Sequence, residues 1–209
     1  MVLGQFVFCN TLFDKLFPGI VGSKTCGLAA SIIFKIPVVR ENFFHWGYID
    51  ASRKIASKAI ENGQNLVIVV GGEEESLNTC RGIDMVILNK RKGFIRLALS
   101  YGITLVPLYC LGGVDTYQTY GWFIKQRRWI QKHLGMALPI FHGRWYITPI
   151  PYPTPLTILV GKPIPTPIST NYGAKPDEDL VDEYHQLYIN SLIALYSKHA
   201  PKGRKLIVR

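Results

Sequence analysis

Four short stretches of this sequence carry side chains able to do chemistry. The first is GGEEES at 71–76, where an apolar run enters Gly71 and Gly72 and then meets Glu73, Glu74, Glu75 and Ser76. A carboxylate at such a place can orient a base or bind a hydroxyl, and paired glycines let backbone approach a ligand closely or take positive φ. The same residues also read as a solvated acidic turn, balanced by Arg81 and by Lys90, Arg91 and Lys92. The second stretch, NKRKGF at 89–94, places those three cations just ahead of a helix that starts near Gly93. Backbone N–H groups at a helix N-terminus plus cations suit a phosphate or carboxylate; ordinary surface charge is the other reading. In the third, FHGRWY at 141–146, His142 and Arg144 stand between aromatics, in the role of catalyst or of hydrogen-bonded structural histidine. The fourth, HWGYID, separates His45 from Asp50 by four residues, an arrangement in which a base could deprotonate a hydroxyl while the acid orients it. Chance also supplies that spacing.

The elements that must position these groups alternate between strand and helix signals. Residues 27–34 form a short apolar, helical piece, and 37–40 reads as a strand. Asp50 can cap a helix with Ile55, Ala56, Ala59 and Ile60 at helical spacing and Gly63 just past its end. Residues 66–70, 85–88, 103–109 and 156–160 are strand candidates, the first a β-branched run suited to a buried parallel strand. Helices are expected at 94–101, closed by Gly102, at 118–134, which is basic, and at 177–199. The last carries a stripe of Leu180, Tyr184, Leu187, Tyr188, Leu192, Leu195 and Tyr196, with acids at its start and Lys198 and His199 at its end, matching the helix dipole. This alternation predicts an α/β fold, a single domain over 1–209 with a mostly parallel sheet flanked by helices. The acidic turn at 71–76 would then follow a strand at its carboxyl end, where open α/β sheets collect ligands.

The totals set limits. A chain of 209 residues can bury a sizeable core as one domain. Hydrophobic residues make up 48% and charged residues only 18%. The mean hydropathy of +0.14 is high for a soluble domain and far below that of a polytopic membrane protein. The net charge of +10 suits anionic partners. Cys9, Cys26, Cys80 and Cys110 are scattered and read as reduced thiols facing the cytosol. The long uncharged stretch 145–161 contains Pro149, Pro151, Pro153 and Pro155 and cannot be a regular spanning helix. The first residues lack a basic n-region and make a poor signal peptide. No Walker loop, nucleophile elbow or zinc spacing is present, and the aromatics are not interleaved with cations as on an RNA-binding face. The 122–129 segment, with Trp122, Trp129, Lys125, Arg127 and Arg128, is a candidate contact for anionic bilayers.

Six blocks in order resemble the type-2 diacylglycerol acyltransferase family, which includes monoacylglycerol and wax-alcohol acyltransferases. They are LFPGI at 16–20, VVGGEEESL at 69–77, NKRKGFIRLALSYGITLVPLY at 89–109, FHGR at 141–144, VGKPI at 160–164 and the 177–199 helix with EYHQLY. The resemblance implies a glycerolipid-acyltransferase-like fold. It also marks a departure. The family's His-Pro-His-Gly signature, whose histidine is taken as the base, precedes a Phe-Cys-Asn-like triplet that Phe8, Cys9 and Asn10 match. That places Met1 near the signature's glycine, so the histidines and the family's membrane hairpin are expected ahead of this chain. Gly47 and Arg53 match a substrate-side block, which sets the His45/Asp50 pair apart from the family's base.

What the resemblance implies is an acyl-CoA-dependent O-acyltransferase, moving a fatty acyl group to diacylglycerol, monoacylglycerol or a long-chain alcohol. It needs no metal and no cofactor beyond acyl-CoA as co-substrate, works on the cytosolic face of the endoplasmic reticulum membrane, and binds no nucleic acid. Candidate catalytic residues are Glu75, which best fits the family's acidic position, His142 and His45. Candidate substrate-binding residues are Gly71, Gly72, Ser76, Arg91, Lys92, Gly93, Phe94, Arg96 and Arg144, with Arg91, Lys92 and Arg96 toward the CoA phosphates. Two rivals remain: a catalytically defective, membrane-surface lipid-binding protein of the same fold, and a phospholipid-type acyltransferase built on His45 and Asp50.

Overall fold

The structure, a computed structural model, describes residues 25–134, 140–145, 150–168 and 172–209. The sequence blocks at 8–10 and 16–20, and Pro149, lie outside these residues. The chain divides into two compact units, one ending at Val69 and the other starting at Val70.

The first unit is built on β1 (Thr25–Ala29), α1 (Val39–His45), β2 (Tyr48–Asp50), α2 (Arg53–Glu61) and β3 (Asn65–Val67), with a short 3-10 turn at Ile33–Lys35. Its three strands are parallel in the order β2-β1-β3, with Gly27 opposite Tyr48 and Cys26 opposite Leu66. Two expectations are corrected here. Residues 27–34 do not form a helix: Thr25–Ala29 is the middle strand, and only Ile33–Lys35 turns. A short apolar run reads alike as buried helix or buried strand, and pairing on both sides decided it. Residues 37–40 are not a strand but lead into α1, which buries Phe43 against Ala29 and Tyr48. That packing outweighs the β preference of Val38 and Val39. The predicted helix at α2 is present; it buries Ala56 and Ala59 and leaves Ile55 exposed.

The second unit contains α3 (Gly72–Asn78), β4 (Met85–Val86), α4 (Gly93–Tyr101), β5 (Leu108–Leu111), β6 (Gln118–Tyr120), α5 (Ile124–Leu134), β7 (Ile140–His142), β8 (Thr157–Val160), α6 (Glu178–His199) and β9 (Ile207–Val208). Helix and strand are mixed as expected, but the strands form small sheets of both kinds. β4 and β9 are parallel; β5–β8 and β6–β7 are antiparallel. The expected strand at 103–109 begins only at Leu108, because Pro107 has no N–H for a ladder; Leu105 makes an isolated bridge to Ile164. The expected helix at 118–134 splits at Gly121 into β6 and α5.

The core of this unit lies between α4 and α6. Leu88, Ile95 and Leu99 pack against Val181, Tyr188, Ile189 and Leu192. The buried stripe of α6 is Val181, His185, Tyr188, Ile189, Leu192 and Tyr196, so it is rotated from the expected one: Leu187 is exposed and His185 points inward. The inward histidine is satisfied, its Nε2 lying 2.9 Å from the Leu88 carbonyl.

One charged group is deeply buried beside this core. The Asp84 carboxylate, 1% exposed, accepts hydrogen bonds from the Tyr109 and Tyr196 hydroxyls, both at 2.8 Å. Arg204 reaches the same carboxylate at 3.5 Å and forks onto Asp115 at 2.6 and 2.9 Å. Asp115 also accepts the Gly82 N–H at 3.0 Å. Burial, with Asp84 as hydrogen-bond acceptor, pushes both phenols up from the ordinary tyrosine range.

Removing one partner of a buried ionic group strands the others, so Asp84→Asn is expected to cost about 3 kcal/mol of unfolding free energy. Tyr196→Phe, which removes one hydrogen bond to a charged acceptor, should cost about 1.5–3 kcal/mol. Urea denaturation measures both; an Asp84→Asn midpoint equal to the parent's would refute the role of this network. The Arg204 hydrogen bonds hold the Asp115 carboxyl below the ordinary carboxylate range. Its stabilisation is therefore present above the unfolded value of about 3.9 and is lost as pH falls through the lower folded value. Asp115→Asn should flatten that acid limb in a melt-versus-pH series.

Candidate active site

The GGEEES stretch is not a turn. It opens α3, with Gly71 as the residue before the helix and Glu74 and Glu75 in its first turn. Three adjacent acids in a basic chain are thus placed where the helix dipole favours negative charge. Glu74 and Glu75 differ in surroundings. Glu74 is exposed and pairs with Arg91 at 3.4 Å. Glu75 is only 9% exposed, and its Oε2 accepts the Ile87 N–H at 3.3 Å. Burial pushes the Glu75 carboxyl above the ordinary glutamate range, with the Ile87 hydrogen bond pulling the other way. Ser76 follows on α3, half-buried.

The two glycines have different reasons for being glycine. Gly71 has ordinary helical φ of −66°, but a Cβ there would overlap the Glu75 carboxylate. Gly72 has φ +60° with open space around it, so only backbone strain opposes a side chain. Gly71 is therefore the floor beneath the Glu75 carboxylate.

His142 is on β7, opposite Gln118 of β6, and is 6% exposed. Its ring stacks on Tyr120 at 5.2 Å, and its Nδ1 faces the Gly143 carbonyl at 2.9 Å and the Tyr152 hydroxyl at 3.4 Å. Arg81 lies over the Tyr152 ring at 4.4 Å. The hairpin is tied to α3: the Thr119 hydroxyl donates to the Thr79 carbonyl, and the Thr79 hydroxyl donates to the Glu75 carbonyl at 2.7 Å. These bonds tie the β6–β7 hairpin, which carries His142, to the backbone at the end of α3. Arg144 is exposed beyond β7, its guanidinium 5.8 Å from the Trp145 ring.

The cationic run is arranged around α4. Lys92 pairs with Asp182, and Arg96 forks onto Glu178 at 2.7 and 3.2 Å, so both hold the start of α6. Gly93 opens α4 with free space at its Cα, and Phe94 packs edge-on to Tyr188 at 4.9 Å. Lys90 is exposed, with no acid partner among the described residues.

His45 ends α1 and is exposed. Asp50 is occupied elsewhere, accepting the Ser31 hydroxyl at 2.9 Å and the Ser52 N–H at 2.6 Å. Partial burial raises the Asp50 carboxyl, but these hydrogen bonds and the charge of Lys35 leave it below its ordinary value. Its structural role is to hold the turn into α2.

Sequence reasoning missed Asp84, Arg204 and the inward face of His185. A signal for Asp84 exists: a single acid stands between Ile83 and the uninterrupted apolar run Met85–Leu88. Nothing local marks Arg204, whose partners lie far away in the chain. Among the described residues, no cluster of His, Cys, Asp and Glu could hold a metal ion, and no helix is long and apolar enough to cross a membrane.

Two predictions follow from the floor beneath Glu75. Gly72→Ala should cost about 1–2 kcal/mol through left-handed backbone strain alone, whereas Gly71→Ala should displace the carboxylate from Ile87, read as loss of amide protection at Ile87 by hydrogen exchange. Equal protection in both variants would contradict the assignment. A carboxyl with raised folded pKa binds more protons folded than unfolded, so stability falls as pH rises through that value. Glu75→Gln should therefore raise the melting midpoint at pH 8, with the gain vanishing below the ordinary glutamate range near about 4.3.

Comparison with known proteins agrees with the block order. A family model described as diacylglycerol acyltransferase matches residues 1–206. Diacylglycerol O-acyltransferase 2 of Danio rerio is 36% identical over 210 residues, covering 92% of this chain and 56% of the relative. The Homo sapiens protein of the same name is 34% identical over 221 residues, covering 96% of this chain and 55% of its own. Acyl-CoA wax alcohol acyltransferase 2 of Mus musculus is 34% identical over 213 residues, covering 95% and 61%. No solved structure matches. The chain spans little more than half the length of these curated relatives. With the family match running through the glycine floor, the α4 cations, the β7 histidine and α6, the chain belongs to the diacylglycerol acyltransferase family.

Proposed function

We propose that this chain, both units acting as one acyltransferase domain, moves a fatty acyl group from acyl-CoA to the hydroxyl of a glycerolipid or long-chain alcohol. The relatives carry names of both acceptor kinds, diacylglycerol and wax alcohol. The observation that carries the reading is Glu75: a buried carboxylate with raised proton affinity, seated over a glycine floor. A carboxylate so perturbed is a stronger hydrogen-bond and proton acceptor than a solvated one, which is what an acceptor hydroxyl needs beside it.

In this reading Glu75 accepts the hydrogen bond of the acceptor hydroxyl and orients its oxygen toward the thioester carbonyl. The oxygen–carbon ester bond forms, the carbon–sulfur bond breaks, and the hydroxyl proton passes through a base to the departing CoA thiolate. His142, on the β6–β7 hairpin that Thr119 ties to the end of α3, serves the acceptor side. Lys90 and Arg91, ahead of α4, contact the CoA phosphates. Lys92 and Arg96 act behind them, positioning α4 on α6 through Asp182 and Glu178. The setting is the cytosolic face of the endoplasmic reticulum membrane.

The test is radiolabelled acyl transfer by the full chain to detergent-dispersed diacylglycerol, monoacylglycerol and long-chain alcohol. Glu75→Gln is expected to lower transfer by about 10²-fold or more while the protein stays folded, and His45→Ala to leave it unchanged. Parent-level transfer by Glu75→Gln would remove the assignment. Transfer to no acceptor, both by the folded chain and by a form extended at its N-terminus with the family's His-Pro-His-Gly segment, would favour the lipid-binding reading.

A further inference from the structure

We propose that the β6–α5 corner and the exposed face of α5 form a docking surface for an anionic phospholipid bilayer. The inference rests on the reading of the chain as a lipid-modifying protein and identifies which part of it meets the lipid surface.

The corner presents large aromatics to solvent: Trp122, Phe123 and Trp129 are 64%, 67% and 60% exposed. They are held there at a cost. Phe123 has φ +53°, in the left-handed region that an aromatic residue adopts only under constraint. The constraint is Arg127, itself 4% exposed, whose Nη1 donates to the Tyr120 carbonyl at 2.7 Å and the Trp122 carbonyl at 3.3 Å. The Arg127 N–H reaches the Phe123 carbonyl at 2.9 Å, and the Trp122 ring stacks on Tyr120 at 4.8 Å. Of the cations that the sequence assigned to this surface, Arg127 is therefore the brace and not the contact. Lys125, Gln126, Trp129 and Ile130 line a shallow depression along the helix, with Arg128 and Lys132 beside it.

The charge fits one sign of partner. No Asp or Glu occurs from Thr116 to Pro176. On α3, which packs against α5, Glu75 is buried and Glu74 pairs with Arg91, while Asn78 holds Arg128 at 3.2 Å. Indole rings settle at headgroup depth, and lysines beside them attract anionic headgroups. An aromatic wedge flanked by cations that form no ion pair among the described residues has both features.

Flotation of the full chain with phosphatidylcholine vesicles, with and without phosphatidylserine, tests the surface. The paired change Trp122→Ser and Phe123→Ser is expected to lower partition by about tenfold or more. Lys125→Gln with Lys132→Gln should lower it by about fivefold per lysine, on phosphatidylserine vesicles alone. Trp145→Ser is the control: Trp145 is 63% exposed but lies beyond the other end of the β6–β7 hairpin. Parent-level partition by both paired variants, or an equal loss in Trp145→Ser, would overturn the proposal, as would stronger binding to RNA than to anionic vesicles. Should the aromatic pair fail to fold, the lysine pair, fully on the surface, decides. In the surface variants, retained transfer to detergent-dispersed acceptor with lost flotation isolates the surface; a parent chain that floats but transfers to no acceptor faults the active-site reading alone.

Discussion

The carboxylate of Asp84 is the group on which the second unit depends. Buried charge is tolerated only when it is paired and hydrogen-bonded, and Asp84 draws its partners from distant parts of the chain. Tyr109 comes from β5, Tyr196 from α6 and Arg204 from the segment after it. The same region is closed by backbone: β9 pairs with β4, and the Arg209 carbonyl accepts the Leu88 and Asn89 N–H groups at 2.7 and 2.9 Å. The last residues are therefore a working part of the core. Their pairing brings the end of the chain beside Ile87, whose N–H holds Glu75. The buried Asp84 and the Ile87 N–H that holds the candidate catalytic carboxylate thus stand at the two ends of β4.

Acidic residues in this basic chain do separate jobs according to burial. Glu178 and Asp182 anchor the cations of α4 and set its packing on α6. These are exposed pairs, worth little individually as stability, and their value is positional. Glu74 moderates Arg91 in the same way. Glu75 is buried with no ion pair among the described residues, and burial keeps its proton affinity high. Two turns of sequence spacing are not needed to separate these roles, because adjacent residues on a helix point about 100° apart. The acid-free span from Thr116 to Pro176 completes the division, leaving α5 a surface of one sign.

Much of the candidate site was legible from residue order. The glycine pair, the acid at position 75, the cations ahead of α4 and the histidine at 142 stand in the family's order, and α2, α4 and α6 follow from apolar spacing and end signals. Strand assignments were weaker. Residues 37–40 carry β-branched side chains yet lead into α1, because burying Phe43 outweighs local preference. Residues 27–34 contain the middle strand, which periodicity alone cannot separate from a helix.

Composition and order determined the family, the mixed α/β class, the basic character and the identity of the residues that could do chemistry. These are properties of single positions and short spacings, and they survive without knowledge of long-range contacts. Tertiary structure decided which of those residues are buried, paired or free. It turned an apparent acidic loop into a helix start, gave Glu75 its raised proton affinity, tied Lys92 and Arg96 to α6, and assigned Asp50 to a turn. It also made Arg127 a brace and Arg204 a core residue. Burial and ion pairing depend on groups tens of residues away, and desolvation acts on whichever side chain the packing encloses, so no local pattern could have specified them.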